Sequence, residues 1–377
     1  MLVGYAGNKE SMLEHWLKPS KVAVAAAGSV PKGRFGGQVE VFGDAMPDLT
    51  GTRVVLLGAG DAVADAVRQE LYGLSFPFEG LRVADIGNIR RTESSFLLPV
   101  LRELLEGGIC PVLLGQADEW VLAQFKAHLV QRSSVSLLVV QESIPYHPVR
   151  ADESHYLQHI LQSPSQELFH FCNIGCQSHY LDAETLSALA MRDFDCLRLG
   201  KARTNISEME PYIRDADLLC FHLSAMKGTE APGVAHPTPS GFFSEEACQL
   251  SRYAGMSDKL ASVGFYGYRP GHDPDRRTAQ LTAQLVWYFI DGFNNRKQDF
   301  PASLDDLIEY IVDLKGYDFQ LFFWKSNKTG RWWLQVPIHT RAGLERHRLI
   351  PCSYNDYLHT LQGDLPARLL NAFKRFS

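Results

Sequence analysis

The chain has 377 residues, 45% of them hydrophobic and 21% charged, which is enough to bury a sizeable core and far from the polar, highly charged composition of disorder. Its formal net charge of −6 and isoelectric point of 6.1 give no basic footprint for nucleic acid or an anionic membrane. The length suits one large α/β domain or two ordinary ones, with small molecules or proteins as the expected partners.

The opening MLVGYAGNKE lacks a basic stretch followed by an apolar one. The longest apolar runs, such as LVWYFI at 285–290, are too short to span a bilayer, so a cytoplasmic location without membrane contact is expected. Seven cysteines, scattered from Cys110 to Cys352, do not make the disulfide framework of a small secreted domain and read mostly as buried thiols.

Residues 1–50 read as a segment packed on the main domain. Short β-rich apolar runs then recur with helical patterns between them: RVVLL (53–57), LRVADI (81–86), PVLL (111–114), SLLVV (136–140) and LFHFCNI (168–174). DCLRL (195–199), DLLCFHL (217–223) and ASVGFYG (261–267) follow. Such runs, with little alternation, suit strands covered on both faces. Their alternation with helices predicts a three-layer, mostly parallel α/β domain of about eight strands over 51–315.

The clearest helix, RRTAQLTAQLVWYFIDGF (276–293), repeats Leu281, Leu285 and Phe289 as one apolar stripe, with Asp273 or Asp275 placed to cap it. From about residue 316 the pattern changes. FQLFFW and RWWLQV flank SNKTG as an aromatic-rich β-hairpin, and an amphipathic helix follows near LPARLLNAFKRF, so 316–377 reads as a C-terminal extension. Phe322, Phe323, Trp324, Trp332 and Trp333 need cover from the domain or from a partner.

Two stretches imitate known sites. LLGAGDAVAD (56–65) sets Gly58-x-Gly60 between a strand and a helix, but Val63 stands where a dinucleotide-binding turn needs its third glycine, so a plain strand-to-helix turn is expected. HFCNIGCQSH offers His170, Cys172, Cys176 and His179 as zinc ligands. The first two fall within a strand, which favours buried thiols over a metal loop.

Pro232-Gly233, Thr238-Pro239, Gly241 and Glu246, followed by Pro270, Asp273, Thr278 and Ala279 ahead of a long apolar helix, form an ordered series. DAVRQELYGL, VADIGNI and FCNIGCQS precede it. In order and spacing, over roughly 50–293, these resemble the arginase, agmatinase and formimidoylglutamase superfamily, most nearly its formimidoylglutamase branch. That resemblance implies a doubly wound parallel sheet and a pair of manganese ions whose bridging hydroxide attacks a guanidinium or formimino carbon. It also implies trimers or hexamers.

The resemblance further assigns the ligand positions. Asp118, in LLGQADEW, occupies the place of a metal-binding histidine. The next motif falls on Gln141, Glu142, Ser143, Ile144 and Pro145. His222 and Ser224 stand for two aspartates, Lys227 for a further one, and the substrate-orienting glutamate falls near Gly267. Of six ligand positions (Asp118, Gln141, Ser143, Pro145, His222 and Ser224), only Asp118 and His222 keep a metal-binding side chain. Two close divalent ions need several carboxylates to offset four positive charges.

The expected function is therefore non-catalytic binding of a small polar metabolite or a protein, with no cofactor. The pocket would hold Asp118, Gln141, Glu142, Ser143, His147, His222, Ser224 and Lys227. The alternative is a divergent hydrolase of C–N bonds in linear amidines, with a single manganese or none, in which Asp118 and His222 are the catalytic candidates. A plainer reading has Asp118 capping the helix that follows it, while His222 and Ser224 satisfy each other.

Overall fold

The computed structural model describes residues 13–116, 119–147, 155–163, 167–314, 320–336 and 348–376. A ten-stranded sheet forms the centre. It contains β1 (Leu17–Lys18), β2 (Glu40–Val41), β3 (Val54–Ala59), β4 (Val83–Ile89), β5 (Cys110–Gly115), β6 (Val135–Val140), β7 (Leu168–Cys176), β8 (Asp195–Arg198), β9 (Leu218–His222) and β10 (Ser262–Tyr266). The order is β1-β4-β3-β5-β10-β9-β6-β7-β8, with β2 also on β4, and every pairing is parallel except that of β1.

The eight apolar runs read from the sequence become β3 to β10. Alternate side chains serve opposite faces: Val54 and Leu56 join one core, Val55 and Leu57 the other. Helices Asp61–Leu71, Ser244–Gly255 and Arg277–Asn294 cover the first face, and helices Ser94–Glu106, Glu119–His128 and Tyr156–Gln162 the second. Both faces are dry, which is why the strand sequences barely alternate.

Leu281, Leu285 and Phe289 are buried as the stripe requires. Asp273 is the residue at the helix start that acts: its carboxylate accepts from Thr278 N (3.1 Å), Ala279 N (3.0 Å) and the Tyr268 hydroxyl (3.1 Å). At the glycine pair of the first imitating stretch, a side chain on Gly58 would run into Asn88 and Ala64, so the small residue serves strand-to-helix packing. Cys176 and Cys196 form a disulfide between β7 and β8, an exception to the expectation of buried thiols that the other five cysteines follow. The link also takes Cys176 out of any zinc set.

A second, antiparallel sheet runs β11 (Leu307–Asp313), β12 (Gln320–Ser326), β13 (Trp332–Gln335) and β14 (Leu349–Cys352), followed by helices Tyr354–Leu361 and Ala367–Phe376. The expected hairpin is β12–β13, with Trp324 opposite Trp333. This sheet starts at Leu307 rather than at residue 316, because LIEYIVD pairs with β12 along its whole length. Trp333 is fully buried and its ring carries the Arg214 guanidinium at 4.3 Å. Arg214 also donates to the carbonyls of Trp332 and Cys352, so the aromatic strand finds its cover on the α/β domain. No helix among the described residues is long and apolar enough to cross a membrane.

Candidate functional site

Strands β5 and β6 are consecutive in the sequence but have β10 and β9 inserted between them in the sheet. The helices that follow the neighbouring strands β5 and β10, Glu119–His128 and Arg277–Asn294, lie on opposite faces, and the carboxyl ends of β5, β10, β9 and β6 border the crevice where open α/β sheets bind ligands. These ends carry Gln116, Gly267, His222 and Gln141. The Gly267 N–H donates to the Gln116 carbonyl at 3.3 Å, tying two of the strand ends together.

The β6–β9 register pairs Val140 with Phe221, so the residues just beyond both strands come side by side. There the Glu142 carboxylate accepts the Ser224 hydroxyl, and Ser224 Oγ hydrogen-bonds His222 Nδ1. The Ser224 N–H also lies 3.2 Å from Nδ1. The ring nitrogen cannot donate to Oγ and accept from N–H at once. Nδ1 accepts the Ser224 N–H, and the Ser224 hydroxyl lies between Nδ1 and the Glu142 carboxylate, to which it donates. The ring packs over Gly267, with Cε1 and Nε2 nearest.

Around this chain the backbone is fixed by neighbours. Gln141 N donates to Ile174 O (3.2 Å), Gln177 N to Glu142 O (2.8 Å), and Asn173 Nδ2 to Ser143 O (2.8 Å). The Gln141 side chain accepts from the Tyr156 hydroxyl at 3.4 Å. Asn173 Oδ1 and Gln177 Oε1 are buried acceptors without a hydrogen-bond partner, leaving acceptor capacity beside Glu142 and Ser143. Sequence reasoning passed over both residues, although polar side chains inside the apolar run FCNIGCQ are the signal that marks them.

The structure thus joins Glu142, Ser224 and His222 directly, with Gln141 and Ser143 on the same strand end. It places His147 against the His155 ring, at 5.6 Å between centroids, and within electrostatic reach of Asp182. Lys227 holds its ammonium 4.8 Å over the Phe243 ring. Pro145 is buried and accepts Leu157 N–H through its carbonyl, with no side-chain donor to offer. Asp118 lies outside the described residues, one position before helix Glu119–His128.

At the five described positions that the resemblance assigns to metal ligands, the side chains are an amide, two hydroxyls, a pyrrolidine and one imidazole. The imidazole and one hydroxyl already hydrogen-bond each other. This donor set does not fit two divalent cations, whose four charges call for bridging carboxylates. Among the described residues no group of three or more histidine, cysteine, aspartate or glutamate side chains could hold a metal ion. What the chain of Glu142, Ser224 and His222 can do is present a polarised imidazole edge and a carboxylate to a polar ligand.

The family model for the arginase family matches residues 60–291, more than half of the chain. A formimidoylglutamase of Staphylococcus aureus (strain MRSA252) is 32% identical over 95 residues, 24% of this chain and 30% of that protein. One from Staphylococcus haemolyticus (strain JCSC1435) is 29% identical over 85 residues, 22% of this chain and 27% of that protein. The chain thus matches less than a third of the length of these relatives.

In three dimensions, the crystal structure of Trypanosoma cruzi formiminoglutamase with Mn2+ superposes with a TM-score of 0.59 at 17% identity, covering 65% of this chain and 95% of that one. Formimidoylglutamase from Bacillus subtilis gives 0.59 at 15% identity, covering 72% and 96%. At these identities the likeness is one of fold.

Proposed function

The chain belongs to the arginase family, and we propose from that premise that it is a non-catalytic member, one that has lost the pair of manganese ions and binds a small polar ligand in the strand-end crevice. The observation that carries this reading is the Glu142–Ser224–His222 chain. Where the family resemblance calls for aspartates, a hydroxyl and an imidazole are engaged with each other, and the nearby carboxylate is spent on the hydroxyl. The unpartnered acceptors of Asn173 and Gln177 support a ligand with N–H or O–H groups to donate.

Metal analysis of the purified protein, combined with assays for urea, formamide or ammonia released from guanidino and formimino substrates, tests the proposal. It expects neither stoichiometric manganese nor turnover. Both together would overturn it. Thermal shifts with small amidines and amino acids are expected to show retained ligand affinity.

A second reading, metal-free hydrolysis of a linear amidine, draws on the same chain. A carboxylate-supported imidazole is a reasonable general base. Turnover without metal, abolished by His222→Ala, would favour it over the first.

A further inference from the structure

Helix Ala367–Phe376 packs across the amino-terminal ends of β7 to β9, at the opposite end of the sheet from the crevice. Asn371 Nδ2 donates to Asp195 Oδ1 (3.0 Å), Lys374 pairs with Asp193 (3.1 Å), and Arg368 donates to the Pro351 carbonyl (3.2 Å) while its guanidinium lies 4.0 Å over the Tyr212 ring. Arg375 NH1 stands 3.8 Å from Asp215 Oδ2. Beneath the helix is a cavity of about 10 Å³, lined by His170, Asp195, Tyr212, Asp215, Arg368 and Arg375. That is room for one water-sized molecule and excludes polyatomic anions.

Four buried atoms of the lining residues hydrogen-bond no protein group: His170 Nδ1, Nε and NH1 of Arg375, and Arg368 Nε, which is ion-paired with Asp356 at 3.6 Å. His170 Nε2 lies 3.0 Å from Asp195 Oδ2, so the Nε2 hydrogen is committed to that carboxylate. In the neutral ring Nδ1 is then an acceptor, the complement of the two guanidinium donors, and one water can bridge them.

We propose that the C-terminal helix is an acid-released latch, in which protonation of His170 at Nδ1 turns the cavity's acceptor into a third cationic donor facing Arg368 and Arg375, and the helix lifts away. The charged and titratable groups around the ring are Asp195 on β8, Asp215 ahead of β9, Arg368 and Arg375 on the latch, and Tyr212, whose phenol burial pushes up to about 12. Cys172 is next on the same face of β7, its thiol held neutral chiefly by burial. Asp215 is paired with Lys259 at 2.9 Å.

Burial, reinforced by the Arg375 charge, outweighs the pull of Asp195 and Asp215 and keeps the docked imidazole below its ordinary range. Once the helix leaves, the burial and the Arg375 charge are relieved while Asp195 stays beside Nε2, so the imidazole takes up a proton more readily than when docked. The undocked form therefore binds the extra proton, and docking, full at high pH, weakens as the pH falls through the range in which the undocked ring titrates.

Hydrogen exchange on the full chain from pH 8 to 5, corrected for intrinsic rates, tests the latch. The 367–376 amides should lose protection as the pH falls across this range, by up to about tenfold per pH unit, while those of β3 and β5 hold theirs. His170→Gln, which keeps a donor for Asp195 and an acceptor for the cavity, should flatten that slope. A pH-independent wild-type helix, or an unchanged slope in the variant, would overturn the proposal. If His170→Gln does not fold, Arg375→Gln serves instead: removing one guanidinium should make the slope shallower, and an unaltered slope refutes the latch.

Discussion

The His222 ring lies directly over Gly267, close enough that a Cβ added to the glycine would stand 2.5 Å from both Cε1 and Nε2. Gly267 also has φ +86, a conformation that side chains resist. The family resemblance puts a substrate-orienting glutamate near this position. Here imidazole and glycine fit each other, and a side chain at 267 is incompatible with the ring where it stands.

A double-mutant cycle reads that fit. Gly267→Ala should cost about 2 kcal/mol or more, from left-handed strain plus the clash. His222→Ala removes the clash but not the strain, so the double variant should be less destabilised than the sum by roughly 0.5 to 3 kcal/mol. Urea denaturation measures all four corners, and strict additivity would mean that the ring and the glycine are not in contact.

The hydrogen-bonded chain next to it makes a separate prediction. Ser224→Ala removes the central hydroxyl, taking away the donor to Glu142 and the Oγ contact of His222, at about 1 to 2 kcal/mol. Glu142→Gln keeps a side-chain acceptor for the hydroxyl and should cost less, about 1 kcal/mol with the site partly open to water. The reverse order in equilibrium unfolding would show that the hydroxyl is not the hub.

What the sequence disclosed follows from where each signal is stored. The eight central strands were legible because burial on both faces writes an unbroken apolar run. LIEYIVD was harder, since β11 is mostly half-buried or exposed and carries Glu309 and Asp313. LIPC hides its strand character behind Pro351. At the crevice, the family resemblance pointed to Gln141, Glu142, Ser143, His222 and Ser224. Their connection did not show, because Glu142 and Ser224 are 82 residues apart and meet only through the β6–β9 register. Asn173 and Gln177 went unmarked for a related reason: their roles depend on the adjacent backbone of Ser143 and Glu142, which no local pattern encodes.

Metal removal should leave the fold indifferent. A site occupied at a thousandfold excess over its dissociation constant adds about 4 kcal/mol to stability, a shift of several degrees in Tm for any protein that holds its metal in the native state. Dialysis against a chelator, and subsequent addition of manganese, is therefore expected to leave Tm unchanged in a thermal melt. A reversible rise with manganese would sink the non-metal reading of the crevice.

Arg214 ties the second sheet to the α/β domain. Its side chain is 3% exposed and forks onto Glu210 at 2.8 and 3.1 Å while stacking on Trp333 and donating to two tail carbonyls. A lysine keeps the charge but cannot form the fork or the stack. Arg331, 3.2 Å from Glu210, partly compensates the carboxylate. Arg214→Lys should therefore cost about 3 kcal/mol, the lower end for disrupting a buried pair, with hydrogen exchange rising first in β13 and β14. Uniform loss of protection across both sheets would instead mean that the two fold as one cooperative unit.

Asp273 matches the family's frame, yet here it is 3% exposed and engaged by Thr278 N, Ala279 N and the Tyr268 hydroxyl as the cap of helix Arg277–Asn294. Thr278 in turn accepts Gly233 N–H at 2.8 Å, so the cap also fixes the Pro232-Gly233 turn. Asp273→Ala strands two backbone donors at the start of the helix and should cost about 2 to 3 kcal/mol, above the usual cap value because the site is buried. Asp273→Asn keeps one good acceptor and should recover at least half of that. Equal losses in the two variants, measured by urea unfolding, would mean that the negative charge rather than the capping oxygen is what the helix requires.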